Sequence, residues 1–98
     1  MDSISSISLS ALSAYGVKQA VTSNNIANMN TTDYKASTAV TMENKTGGVS
    51  ATVVPGNDEV DISKEAVDLL ANSIGFKANL KVFQATDEMY NDLLKMKP

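Results

Sequence analysis

Two long stretches of the chain repeat their apolar residues with the period of a helix, and the stretch between them repeats with the period of a strand. In the later helical stretch, 62–96, residues placed at about 100° per step put Val67, Ala71, Ile74, Ala78, Val82, Ala85, Met89 and Met96 on one stripe. Most of these are small. On nearly the opposite face Ile62, Leu69, Phe76, Phe83 and Tyr90 recur at every seventh position, with Leu80 and Leu94 beside them, and this stripe is large and partly aromatic. A helix of about 33 residues is about 50 Å long, too long for the rest of a 98-residue chain to cover on both sides. One face is therefore expected to meet another chain. The small stripe permits close backbone approach, which assigns it to a partner helix in the same chain and leaves the large stripe for other copies. The alternative is that one chain buries both stripes, with its N-terminal helix on one side and a small sheet on the other.

The earlier stretch, 3–29, is free of proline and rich in Ala, Ser and Leu, and it reads as a helix. Ile4, Ile7, Ala11, Ala14, Tyr15 and Val21 share one face, while Leu9, Leu12, Ala20 and Ala27 spread over the other. Asp2 is the only charge before Lys18, so this helix is suited to contact with protein rather than water. It should end in the polar run Asn28 to Asp33, whose side chains compete for backbone hydrogen bonds and tolerate the left-handed conformation.

Over 36–55 the period changes to two. Val40 and Met42, then Val49, Ala51 and Val53, alternate with polar residues around Asn44-Lys45-Thr46-Gly47-Gly48, which predicts a β-hairpin. Pro55 to Glu59 forms a turn, after which Asp61 or Ser63 can cap the long helix, with Glu65 near its positive end. A short excursion between two helices favours antiparallel packing. The predicted fold is a single, mainly α domain: a long coiled-coil-like antiparallel helical hairpin with a small β-hairpin between its helices.

Composition narrows the function. Cysteine and histidine are both absent, which removes thiolate chemistry, disulfides and the commonest general base and metal ligands. No enzyme, cofactor or metal site is expected. The net charge is −3, every cation is Lys, and no basic patch lies among aromatics, which argues against nucleic acid and against anionic membranes. No basic n-region or long apolar block marks a cleaved signal peptide or a membrane span. Asp58, Glu59 and Asp61 lack the ligand spacing of a calcium loop, Gly47-Gly48 lacks the Lys and helix of a phosphate loop, and the sequons at Asn30 and Asn44 are read as chance.

One motif is specific. Ser23-Asn24-Asn25-Ile26-Ala27-Asn28-Met29-Asn30-Thr31-Thr32-Asp33-Tyr34-Lys35 resembles the N-terminal signature of the bacterial flagellar rod and hook proteins, the axial proteins. Val60-Asp61 with Glu65, then Ala78-Asn79, Lys81-Val82, Gln84, Asp87-Glu88-Met89 and Leu93-Leu94, resembles that family's C-terminal helix signature, in the right order. The resemblance implies a structural subunit of the flagellar basal body whose terminal helices form an antiparallel coiled coil and pack with other copies and other axial proteins into a tube. It also implies delivery by the flagellar export apparatus without a cleaved signal, and no small-molecule substrate. The residues expected to serve assembly are Asn24, Asn25, Ile26, Ala27, Asn28, Asn30, Thr31 and Tyr34 of the first motif and Asn79, Asp87, Glu88 and Met89 of the second, together with Phe76, Phe83 and Tyr90 of the large stripe. Asn24, Asn25, Asn28 and Asn30 would offer amides to backbone groups where the helix ends.

Three departures from the family pattern stand out. Asp33 replaces the usual Gly before Tyr34, at some strain if the position is left-handed. Ser73-Ile74-Gly75 stands where Gln-Arg-Ala is common, and Gly75 inside a helix costs about 1 kcal/mol relative to Ala. The middle region has no room for a folded outer domain. The competing expectation is a helical adaptor, related by descent, that binds one partner helix and does not polymerise.

Overall fold

The computed structural model describes residues 3–96 of the 98-residue chain. The order of elements is α1 (Ser3–Ala27), β1 (Ser37–Glu43), β2 (Val49–Pro55) and α2 (Ile62–Lys95). The strands form an antiparallel pair from Ser37 opposite Pro55 to Glu43 opposite Val49. α1 is the central element, packed against α2 on one side and against both strands on the next, so the fold is the helical hairpin with a β excursion that the periodicities predict. The molecule is long and thin, 66 × 26 × 14 Å.

Local chemistry sets each boundary. Asp61 caps α2, its Oδ1 accepting from the N–H groups of Ser63 at 3.1 Å and Lys64 at 3.2 Å, which satisfies two of the donors that a helix start leaves free. α1 stops at Ala27, two residues before the predicted end at 29. There the Asn28 side chain takes the Asn24 carbonyl through Nδ2 at 2.9 Å, and the Asn28 N–H is shared between the Asn24 and Asn25 carbonyls. The chain reverses through Asp33, whose φ of 61° places it in the left-handed region.

The hairpin lies along α1 with its turn toward the N-terminal half of that helix. Ser10 anchors it: Oγ accepts from the Val49 N–H at 3.0 Å and donates to the Ile7 carbonyl at 2.7 Å. Gly48, with φ of 81°, sits so close that a Cβ there would fall on the Ser10 side chain, so both conformation and space call for glycine.

The two stripes of α2 are used in the opposite sense from the sequence expectation. Leu69, Leu80 and Phe83 of the large stripe are half-buried, on the same side of the helix as the buried Glu65 and Asn72, and this side faces α1. The other stripe is in solvent: Val67 is 67%, Ile74 61% and Met89 62% exposed, and Ala71, Ala78 and Ala85 are exposed as well. Close helix approach needs small residues on only one of the two helices, and α1 supplies them. Its buried Ser5, Ser8 and Thr22 share the helix face of Tyr15 and Gln19, which meet α2. The hairpin packs on α1 and not on α2, so the alternative in which a sheet covers the second stripe is also overturned.

The expected face of α1 is likewise divided. Ala11, Ala14 and Val21 lie with the hairpin side, Leu12 and Tyr15 with the α2 side, and Leu9, Ala20 and Ala27 toward solvent or at its edge.

Candidate assembly surface

The turn end of the molecule is held by one side chain. Asn25 is 1% exposed, the most deeply buried large side chain among the described residues. Its Nδ2 donates to the Ser37 carbonyl and to Glu65 Oε1, both at 2.9 Å. Its Oδ1 accepts from the Ser37 N–H at 2.9 Å and from the Tyr34 hydroxyl at 3.0 Å. Both donors and both acceptor positions of the amide are therefore used. One residue ties α1 to the turn, to the first residue of β1 and to the first turn of α2. It also gives the buried Glu65 carboxylate a donor, and burial without one would be costly.

The remaining motif residues shape the reversal around this amide. Asn28 Nδ2 also reaches Asn24 Oδ1 at 3.0 Å, and its own Oδ1 accepts from Thr31 Oγ1 at 3.2 Å. The left-handed Asp33 then turns the chain so that Tyr34, half-buried, points its hydroxyl back to Asn25. Asn24, Ala27, Asn30 and Thr31 are exposed, and Ile26 is half-buried. The partners of Asn25 lie between 9 and 40 residues further along the chain, and Ser37 carries no mark that sequence reasoning could have used. Glu65 was visible only as a helix-start acid within the second motif.

Further along, α1 and α2 come together where Tyr15 lies over Gly75. A Cβ on Gly75 would run into the phenol ring, so glycine here serves close packing as well as carrying its helix-propensity cost. Lys18 Nζ sits 5.5 Å from the centre of the same ring, within the range of a cation–π contact. Gln19 Nε2 donates to the Leu69 carbonyl at 3.3 Å, while its Oε1 is buried with no hydrogen-bond partner. Asn79, half-buried, bonds the Gly75 carbonyl at 3.1 Å.

Of the marked residues on α2, Phe83 is half-buried and Phe76 is 39% exposed on the α1 side, whereas Asp87, Glu88, Met89 and Tyr90 are in solvent. The structure thus brings the first motif together with Glu65 and leaves most of the second motif unpartnered. The sole ion pair among the described residues, Lys64 with Asp68 at 2.8 Å, is exposed and local. The hydrogen bond to Asp68 is the main reason that the Lys64 ammonium titrates above its ordinary value; such surface pairs contribute little to stability.

The apolar accounting is unusual for a folded chain. Ala14 and Val21 are the buried apolar residues among those described, and the other buried positions are Ser5, Ser8, Thr22, Asn25, Glu65 and Asn72. Beyond Val40, Met42, Val53 and Val54 on the hairpin, exposed apolar side chains mark two surfaces on the helices. One is the outward stripe of α2, running into the C-terminal turns, where Met96 is 77% exposed. The other is the side of α1 turned away from α2 and the hairpin, where Leu9 is flanked by Ser6, Ser13, Gly16, Ala20 and Ser23 without a single charge.

Residues 6–35 match the family model described as Flagella basal body rod protein. The matched span runs from the first turns of α1 through the Asn25 amide to Lys35, so it contains the whole reversal and stops short of the hairpin. Over this segment the chain is similar to flagellar rod proteins, in agreement with the residues of its first motif. A search of curated proteins finds no match.

Proposed function

We propose that this chain is a non-catalytic structural subunit of the bacterial flagellar basal-body rod, which works by packing its two helices against neighbouring copies and other axial proteins. The observation that carries the proposal is the inverted distribution of side chains. Most of the fully buried positions inside the chain are polar, while Val67, Ile74, Val82, Met89 and Met96 line its outside. Burying a side chain of this size contributes about 1.5–3 kcal/mol, and association costs roughly 4–15 kcal/mol, so several must be covered together for a stable contact. The similarity of residues 6–35 to rod proteins supports a tube of like subunits as the setting. Under this reading the chain reaches the basal body by the flagellar export route, and nucleic acids and small molecules are not its partners.

The test is genetic and biochemical. A clean in-frame deletion should abolish swimming, and a tagged chain that restores motility should sediment with purified basal bodies. Normal motility in the deletion strain would overturn the proposal. Recovery of the tagged chain in the soluble fraction alone, bound to one partner, would favour the non-polymerising adaptor.

A further inference from the structure

Beside its apolar stripe, the outward side of α2 carries a row of charges that runs basic, then acidic, with Lys95 basic again at the C-terminal end. Lys77 and Lys81 come first, then Glu88 and Asp92. All four are exposed, and the sole ion pair among the described residues lies elsewhere, at Lys64 and Asp68. Lys77 and Lys81 are one turn apart, as are Glu88 and Asp92, so each is a like-charge pair at i,i+4 that costs the isolated helix stability. By helical angle the four follow one flank of the stripe that holds Ile74, Val82 and Met89.

Such a row is complementary to itself only when inverted. In an antiparallel pair of identical helices each flank meets the same flank of the other copy, whereas in a parallel pair opposite flanks meet. Inverting α2 about a two-fold axis between Phe83 and Gln84 brings Lys77 within two residues of level with Asp92 of the second copy and Lys81 within two residues of level with its Glu88. This register sets Ala71 against Met96, Ala78 against Met89 and Val82 against Ala85, a small residue facing a larger one, and Ile74 against Leu93, where two large ones meet. The stripe's spacings of three, four and four recur every eleven residues, from Ala71 to Val82 to Leu93. That repeat keeps two helices in contact with only slight right-handed winding.

We propose that α2 pairs antiparallel with α2 of a second copy of this chain, forming a closed two-fold dimer through its outward stripe. A contact in which the same patch meets itself closes at two subunits. The dimer is therefore a discrete species, and the uncharged side of α1 remains open for contacts with further neighbours. The pairing goes beyond the rod reading and does not rest on it, because it is measured on the purified chain and can fail while the motility result stands.

The full chain, studied at about 50 µM, a concentration at which even a modest dimer is populated, should show twice its 10.4 kDa mass in sedimentation equilibrium. Lys77→Glu with Lys81→Glu should weaken the dimer at least about tenfold, since attraction becomes repulsion at every flank contact. Adding Glu88→Lys and Asp92→Lys should restore it. Circular dichroism checks that each variant keeps its helices, as expected for exposed positions. Orientation is read separately, in a chain that has no cysteine of its own. Ala71→Cys mixed with Met96→Cys should form a disulfide-linked pair on mild oxidation, and Ala71→Cys alone should not. A helical monomer at this concentration, a dimer indifferent to charge reversal, or self-linking of Ala71→Cys would each overturn the proposal.

Discussion

The two ends of the helix pair solve opposite problems. At the turn end, around Asn25, every polar group of the buried amide is matched inside the chain. At the other end α2 outruns its partner: with Asn25 bonded to Glu65 and Tyr15 over Gly75, α1 begins at Ser3 level with about Asp87. The turns beyond carry Met89, Tyr90, Leu93 and Leu94 at 62%, 52%, 57% and 47% exposure. A buried polar group left unmatched costs stability, whereas apolar groups can be left exposed until another surface covers them. The chain has completed the first task alone and leaves the second open.

The comparison breaks most severely at Asn25. Asn25→Ala would leave the Glu65 carboxylate, both backbone groups of Ser37 and the Tyr34 hydroxyl without their partner. A loss of about 3–5 kcal/mol is expected, read as a fall in melting temperature and in helix content. A loss below about 1 kcal/mol would show that the turn end is held by something else.

A sharper contrast comes from two substitutions on opposite sides of α2. Phe83→Glu would put a carboxylate on the side that faces α1 and should cost about 2–3 kcal/mol of stability. Ala78→Glu lies on the exposed stripe and should leave the unfolding free energy within about 0.5 kcal/mol of the parent while reducing self-association in light scattering. The reverse outcome would restore the face assignment that the size of the residues predicts.

Smaller effects probe the middle and the turn. Gly75→Ala gains about 1 kcal/mol of helix propensity but forces Tyr15 off its seat, and overpacking of this kind costs about 1–3 kcal/mol. A net loss of about 1 kcal/mol is expected in denaturant unfolding; a net gain would mean that the ring swings aside freely. Asp33→Gly removes the penalty for a side chain at φ of 61° and should stabilise by about 1 kcal/mol at most. Destabilisation there would reveal a contact made by the carboxylate.

Periodicity alone determined the elements of this protein. A seven-residue repeat from Ile62 to Tyr90, the alternation around Val40 and Val49, and the Asn and Asp residues between α1 and β1 are local signals, and local backbone preferences answer to them directly. A left-handed turn within the run from Asn28 to Asp33 and a cap at Asp61 or Ser63 were legible for the same reason, and the structure places them at Asp33 and Asp61. Which side of α2 meets α1 was not legible, because residue size on one helix has no meaning until the size of its partner is known. The Ser-lined face of α1 takes the larger side chains of α2, and the smaller stripe is left outside. The buried amide of Asn25 belongs to the same class: its donors and acceptors are matched by Tyr34, Ser37 and Glu65, residues that become neighbours only after the chain has turned twice. Long-range pairing of polar groups is decided by tertiary structure because a hydrogen bond depends on position within a fraction of an ångström, which no pattern of residue types along the chain encodes.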